Sequence, residues 1–182
     1  MLVVREGQNT THLDSMSQVA IERVRKLPEF SEAKRISSYI AKGGEVRTEI
    51  LIREMLSEWK NVLVPFIEEG SNNLRFSELR NFDEDLKVGR FGILEPRRES
   101  RRITQGLDVD IVIVPGVAWT PDGFRIGYGK GYYDKYLAAL NRNILTIGLS
   151  YEFQLVPEIP VGNHDIAVQI ITTEKRVIRC KL

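Results

Sequence analysis

Only one cysteine, Cys180, occurs in 182 residues, so no internal disulfide can form and a reducing, cytoplasmic compartment is expected. Histidines number two, His12 and His164, and with a single cysteine they exclude a structural zinc site. Neither sign of charge is in excess: 26 Lys and Arg stand against 25 Asp and Glu, a formal net charge of +1. Such a balance gives no overall pull toward nucleic acid or an anionic membrane, and neither is expected as a partner. The longest uncharged run near the middle, Ile111 to Pro121, is too short to span a bilayer. The opening MLVVREGQNT holds no sustained apolar stretch, so no secretory leader is expected. Repeats and low-complexity segments are absent.

What is present is an ordinary globular composition, 42% hydrophobic and 28% charged, with 14 Gly and 7 Pro. The length predicts one domain over residues 1–182, and a monomer is expected. Ile21, Val24 and Leu27 recur at helical spacing and predict a helix from about Ser15, closed by Pro28. The alternating RISSYI of residues 35–40 predicts a strand, and Gly43-Gly44 ends it. Thr48 is placed to cap a helix whose apolar stripe is Ile52, Met55, Leu56 and Trp59. The near-continuous apolar NVLVPF at 61–66 suits a buried parallel strand. A short strand at Leu74–Phe76 and a helical turn over Ser77–Phe82 follow. Residues 83–107, charged and broken by Gly89, Gly92, Pro96 and Gly106, read as one long loop. Further strands are expected at 110–114 (DIVIV), 144–149 (ILTIGL) and 167–172 (AVQIIT). Tyr133, Tyr136, Leu137 and Leu140 mark a helix directly after a glycine loop. Strands alternating with helices predict an α/β fold, a three-layer α/β/α sandwich with a mostly parallel, Rossmann-like sheet. Ligands in such sheets lie beyond the carboxyl ends of the strands, which is where the glycine loop falls.

That loop, Arg125-Ile-Gly-Tyr-Gly-Lys-Gly-Tyr-Tyr-Asp134, carries most of the chemistry. Gly127, Gly129 and Gly131 let backbone N–H groups converge on an anion, and the helix beginning near Tyr132 adds its own unpaired N–H groups. Arg125 and Lys130 place cations beside this nest, which reads as a phosphate cradle. It is not a Walker A loop, because Gly131 follows Lys130, and its GxGxG spacing is not a dinucleotide fingerprint. The plain alternative is a connection whose glycines serve turns. Asp134 in the first helical turn complements the helix dipole; beside a phosphate it calls for an intervening Mg²⁺.

The segment VPGVAWTPDGFRIGYGKGYYDKYL, residues 114–137, resembles the signature of the 5-formyltetrahydrofolate cyclo-ligase family. Lys34-Arg35-Ile36 with Glu45-Val46-x-Thr48, Gly92-Ile-Leu-Glu-Pro96 and Asn163-His164-Asp165 agree with it, and the resemblance spans roughly residues 15–175. It implies an enzyme that uses ATP to turn 5-formyltetrahydrofolate, or a related reduced pterin, into the cyclised 5,10-methenyl form. By the family's motif, the loop residues Arg125, Gly127, Tyr128, Gly129, Lys130, Gly131, Tyr132 and Tyr133 would hold ATP. Tyr128, Gly129, Lys130, Gly131 and Tyr132 would also touch the folate, together with Ile40 and Glu45. Asp134 and Asp165 would ligate Mg²⁺, and Lys130 and Arg125 would be the catalytic cations.

One departure is visible. Members of the family open with a helix bearing a Lys and, four residues later, an Arg; the opening here has no such pair, and Arg5 reads as isolated. This leaves open a non-catalytic or repurposed member that binds a folate or a nucleotide. An enzyme of another class that uses the nest for a phosphate monoester is the third reading. Outside the loop, Arg97, Arg98, Arg101 and Arg102 read first as a solvated run and second as a grip on the glutamate tail of a folate. His164 reads as a surface histidine. Trp119, Tyr128, Tyr132 and Tyr133 are candidates for stacking on a pterin, with Tyr133 also on the helix's core stripe.

Overall fold

Parallel pairing needs helices on both faces of a sheet, and the strand sequences show it: their residues are apolar at successive positions rather than at alternate ones. In a computed structural model, residues 1–68, 70–71, 73–89, 92–141 and 144–181 are described. Along the chain they form α1 (Leu2–Glu6), α2 (Thr10–Arg25), α3 (Pro28–Glu32), β1 (Arg35–Ser38), α4 (Glu49–Ser57), β2 (Asn61–Phe66), β3 (Arg75–Leu79) and α5 (Phe82–Asp85). There follow β4 (Leu86–Val88), β5 (Leu94–Pro96), β6 (Ile103–Thr104), β7 (Ile111–Val114), β8 (Ala118–Trp119), β9 (Arg125–Ile126), α6 (Tyr132–Ala139), β10 (Leu145–Leu149), β11 (Ile170–Thr172) and β12 (Val177–Arg179).

Eight strands make one sheet in the order β12-β11-β10-β7-β1-β2-β3-β6. The five from β11 to β2 are parallel, while β12, β3 and β6 join by antiparallel pairing. Val62, Val64, Ile111 and Ile113 enter one core, shared with α2, α3 and α4. Leu63, Val112 and Val114 enter the other, shared with Tyr136 and Leu137 of α6. Adjacent residues of one strand thus serve opposite cores, which gives three layers, as the sequence predicts.

Several boundaries move for local reasons. Helix α2 begins at Thr10, not near Ser15, because Asn9 caps it: its Oδ1 accepts from Thr11 N at 2.8 Å. Thr48 stands at the N-cap of α4, as expected, but its side chain does not cap the helix: the hydroxyl turns back to Tyr39, as described below. The expected helical turn over 77–82 is replaced by strand β3 and, after Asn81, by α5. Residues 83–107 are not one loop. They hold the β4–β5 hairpin, a 3-10 turn at Arg98–Ser100 and the edge strand β6. Buried Asp85 organises them, its Oδ2 accepting from Arg80 N at 2.7 Å, Asn81 N at 3.1 Å and Arg102 Nη1 at 2.9 Å. Burial alone would raise this carboxyl, but Arg102 and the two amides hold it below the ordinary aspartate range. Strand β12 falls in a tail where the sequence predicts none.

Trp119 does not face a ligand. It is wholly buried between two glycines of the sheet region, Gly116 and Gly148. A Cβ at Gly148 would stand 2.5 Å from the indole Cη2, and one at Gly116 would stand 2.5 Å from Cε2. Gly148→Ala therefore overpacks the core, and an expected loss of about 2 kcal/mol is read from urea unfolding followed by tryptophan fluorescence. An unchanged midpoint would show that the indole can move aside.

Candidate active site

Strands β1 and β7 are neighbours, yet the chain leaves them in opposite directions, toward β2 by α4 and toward β10 by α6. Their carboxyl ends therefore open a crevice at a topological switch point. Residues 39–48 enter it after β1, and the β8–β9 hairpin with the glycine loop enters after β7.

The first segment is shaped by its own side chains. Thr48 Oγ1 donates to Tyr39 O at 2.7 Å and accepts from Ala41 N at 3.1 Å, and the Tyr39 hydroxyl donates to Val46 O at 2.9 Å. The turn so closed buries Glu45, only 5% exposed. Its Oε2 accepts from Lys42 N at 2.9 Å and its Oε1 from the Tyr128 hydroxyl at 3.0 Å. Burial pushes the Glu45 carboxyl above its usual range; the Lys42 amide, Tyr128 and the charges of Arg5 and Lys42 only partly oppose it. Two residues expected to touch the folate, Glu45 and Tyr128, are thus in direct contact although 83 positions apart.

Arg5 completes the cluster, and reading it as isolated is corrected. From α1 its Nη2 donates to the Tyr128 hydroxyl at 2.7 Å. It is 3% exposed, and its Nε and Nη1 meet no acceptor among the described residues. Gly44 makes room for it: a Cβ there would lie 2.8 Å from Arg5 Cγ. The Lys42 ammonium stands 3.7 Å from the Tyr128 ring centroid. The signal in the sequence is faint, a single cation after the apolar Leu2-Val3-Val4.

Gly127, Tyr128, Gly129, Lys130 and Gly131 are exposed, and open space surrounds each of the three glycines. Gly129 (φ +84°) and Gly131 (φ +63°) adopt the left-handed conformation, the reason for glycine there. The N–H groups of residues 127–131 donate to no described group. Those of Tyr132, Tyr133 and Asp134 open α6 and have no partner within it. Lys130 makes no ion pair among the described residues. Tyr133 packs against both cores, edge-on to Tyr136 at 6.5 Å.

Arg125 does not reach into this space. Its guanidinium, 4% exposed, donates to Asp134 Oδ1 and to Ile166 O, both at 2.8 Å. Burial lowers its pKa and the Asp134 carboxylate partly restores it. Asp134 Oδ1 also accepts from Ile166 N at 3.3 Å, which brings the loop of Asp165 alongside; Asp165 Oδ2 accepts from Gly162 N at 2.7 Å. No group of three or more metal-ligating side chains occurs among the described residues. Two carboxylates, each with one oxygen that accepts from no described donor, nevertheless suit Mg²⁺, which takes one or two carboxylates and fills its remaining positions with phosphate oxygens and water. His164 is exposed beside them.

Ile40 lines a groove of about 510 Å³ with Ala41, Ile50 and Leu94, rimmed by Arg47 and Arg53. Both cations are paired, Arg47 with Asp14 and Arg53 with Glu49, each at 3.0 Å. Its apolar walls suit a flat ring. Among the described residues no helix is long and apolar enough to cross a membrane.

A family model described as "5-formyltetrahydrofolate cyclo-ligase family" matches residues 1–174. A Schizosaccharomyces pombe protein described as "probable 5-formyltetrahydrofolate cyclo-ligase" is 34% identical over 95% of this chain and 91% of its own. The mouse 5-formyltetrahydrofolate cyclo-ligase is 31% identical over 80% of this chain and 76% of its own. The solution structure of Aquifex aeolicus 5,10-methenyltetrahydrofolate synthetase superimposes with a TM-score of 0.85 at 34% identity, covering 100% of this chain and 89% of that one.

Removing one partner of a buried ion pair leaves the other uncompensated. Arg125→Met should therefore destabilise the fold by about 3 kcal/mol, measured by chemical denaturation at neutral pH. A loss near zero would show that water replaces the guanidinium beside Asp134.

Proposed function

The chain belongs to the 5-formyltetrahydrofolate cyclo-ligase family, and we propose that it spends ATP, with Mg²⁺, to close 5-formyltetrahydrofolate to 5,10-methenyltetrahydrofolate, releasing ADP and phosphate. One observation carries the reading: the buried Glu45 carboxylate and Tyr128 meet at 3.0 Å beside a loop whose N–H groups are unspent.

A formamide oxygen is a poor leaving group. Transfer of the terminal phosphoryl group of ATP to it makes the formyl carbon electrophilic. The neighbouring amine nitrogen of the folate then attacks that carbon and gives up its proton to water or the departing phosphate, the carbon–oxygen bond breaks, and phosphate leaves with the oxygen. No protein nucleophile is needed; the protein must position the partners and answer negative charge.

The parts divide accordingly. The N–H groups of Gly127, Tyr128, Gly129, Lys130 and Gly131, and those of Tyr132 and Tyr133 at the start of α6, receive the phosphates. Lys130 steadies the transferring group. Asp134 and Asp165 hold Mg²⁺, which neutralises phosphate charge when bound. Arg125 acts through Asp134, orienting its carboxylate rather than touching the nucleotide. Ile40 and its groove receive the ring system, and Glu45 accepts N–H groups of the pterin. Arg5, with two nitrogens unspent, faces the substrates from the N-terminal helix. The non-catalytic alternative rests on the missing Lys and Arg of that helix. Arg5 weakens it, because a guanidinium from the helix does enter the site.

Pure protein incubated with 5-formyltetrahydrofolate and MgATP should gain methenyl absorbance, and only when ATP is present. Binding without turnover would support the non-catalytic alternative. Lys130→Ala should lower kcat about a hundredfold or more, and an unimpaired variant refutes its role. Glu45 accepts through both oxygens only when ionised, and its carboxyl titrates above the ordinary range. As the pH falls, kcat/KM should therefore decline earlier than an exposed glutamate would dictate. A pH–rate profile flat down to the ordinary carboxylate range counts against Glu45.

A further inference from the structure

The main chain that carries Glu45 is gripped from a direction the mechanism does not use. Tyr151, wholly buried, follows β10, and its hydroxyl donates to Glu45 O at 3.1 Å. The same oxygen lies 2.9 Å from Ser17 Oγ and 3.4 Å from Leu13 O, both on α2. Ser17 Oγ donates to Leu13 O at 2.8 Å and accepts from Arg47 N at 3.0 Å. Two hydroxyls thus join α2, the segment after β10 and both sides of Val46. Phe153 stacks on the Tyr151 ring at 5.4 Å and 13°, which holds the ring, and with it the hydroxyl oxygen, beside Glu45 O.

We propose that Tyr151, with Ser17 beside it, is a positioning residue that sets where the Glu45 carboxylate stands against Tyr128, and so governs the grip on the folate rather than on the nucleotide. The proposal rests on the folate reading of Glu45 given above. Its physical core is an accounting of donors. The Glu45 carbonyl has no donor other than Tyr151 among the described residues. A buried carbonyl deprived of its donor turns toward water, and rotating that peptide swings the attached side chain. The hydroxyl makes no contact with the glycine loop, so the phosphate side should not feel the change.

Tyr151→Phe and Ser17→Ala test this, the second serving if the first does not fold. Steady-state kinetics should show KM for 5-formyltetrahydrofolate raised about tenfold, as loss of one ordinary hydrogen bond produces, with kcat and KM for MgATP changed less than twofold. Amide hydrogen exchange should quicken across residues 43–47 and stay unchanged in the central strands. Tyr151→Phe added to Glu45→Gln should cost little more than Glu45→Gln alone. Equal rises in both KM values, full additivity, or unaltered exchange at 43–47 would overturn the proposal. If the native protein makes no methenyl product, the functional reading fails, while exchange at 43–47 still decides whether Tyr151 holds that turn.

Discussion

A carboxylate taken out of water needs cations or hydrogen-bond donors nearby, and Glu45 fixes much of this molecule by that need. Its two donors are Lys42 N from its own turn and the Tyr128 hydroxyl from the glycine loop, and Arg5 from α1 donates in turn to that hydroxyl and adds a positive charge nearby. Lys42 lies three residues from Glu45, while Arg5 and Tyr128 are 40 and 83 positions away. The charge can be buried only if α1, the segment after β1 and the segment after β7 arrive together. Folding the sheet with β1 beside β7 achieves that, since their crossovers diverge and leave the crevice where all three segments end. The arrangement is costly for stability and specific in geometry, a common property of functional sites.

The frame was legible because parallel strands buried on both faces announce themselves. DIVIV, ILTIGL and NVLVPF all form strands of the sheet, and the helix after the glycine loop begins at Tyr132, as its spacing indicates. What escaped was structure built from single polar atoms. Asp85 converts a charged stretch into a hairpin and an edge strand through two amides and one arginine, and no periodicity records that. Asn9 starts a helix at Thr10, five residues before the expected start at Ser15, by one side-chain oxygen. Trp119 looked like a platform for a ring because indoles often are. Only the glycines on either side, 116 and 148, tell that it is enclosed, and they are far apart in sequence.

The site was legible as a set of residues and not as a set of partners. Within Arg125–Asp134 the sequence offers two cations and a carboxylate at the nest, and composition cannot say which cation remains unpaired. Arg125 and Asp134 are nine positions apart, and the two-residue strand β9 followed by the loop brings them into a 2.8 Å pair. Lys130, at the exposed tip, makes no ion pair among the described residues. Arg5 is illegible for the opposite reason: a charge on a short terminal helix usually points to solvent, and the absence of a side chain at Gly44 lets it turn inward.

The distribution of charge around the loop also bears on which form of nucleotide the site suits. In the loop that the proposed function gives to ATP, Arg5 and Lys42 meet Tyr128 and Lys130 is exposed, whereas Asp134 in the first turn of α6 and Asp165 beside Ile166 bring carboxylates, with Arg125 already committed to Asp134. A bare triphosphate entering between them gains on one flank and is repelled on the other. A divalent ion reverses the sign of the second flank without altering the first. On the proposed reading, this asymmetry would favour a metal-bound nucleotide over a free one, with Arg125 held too deep to substitute for the ion.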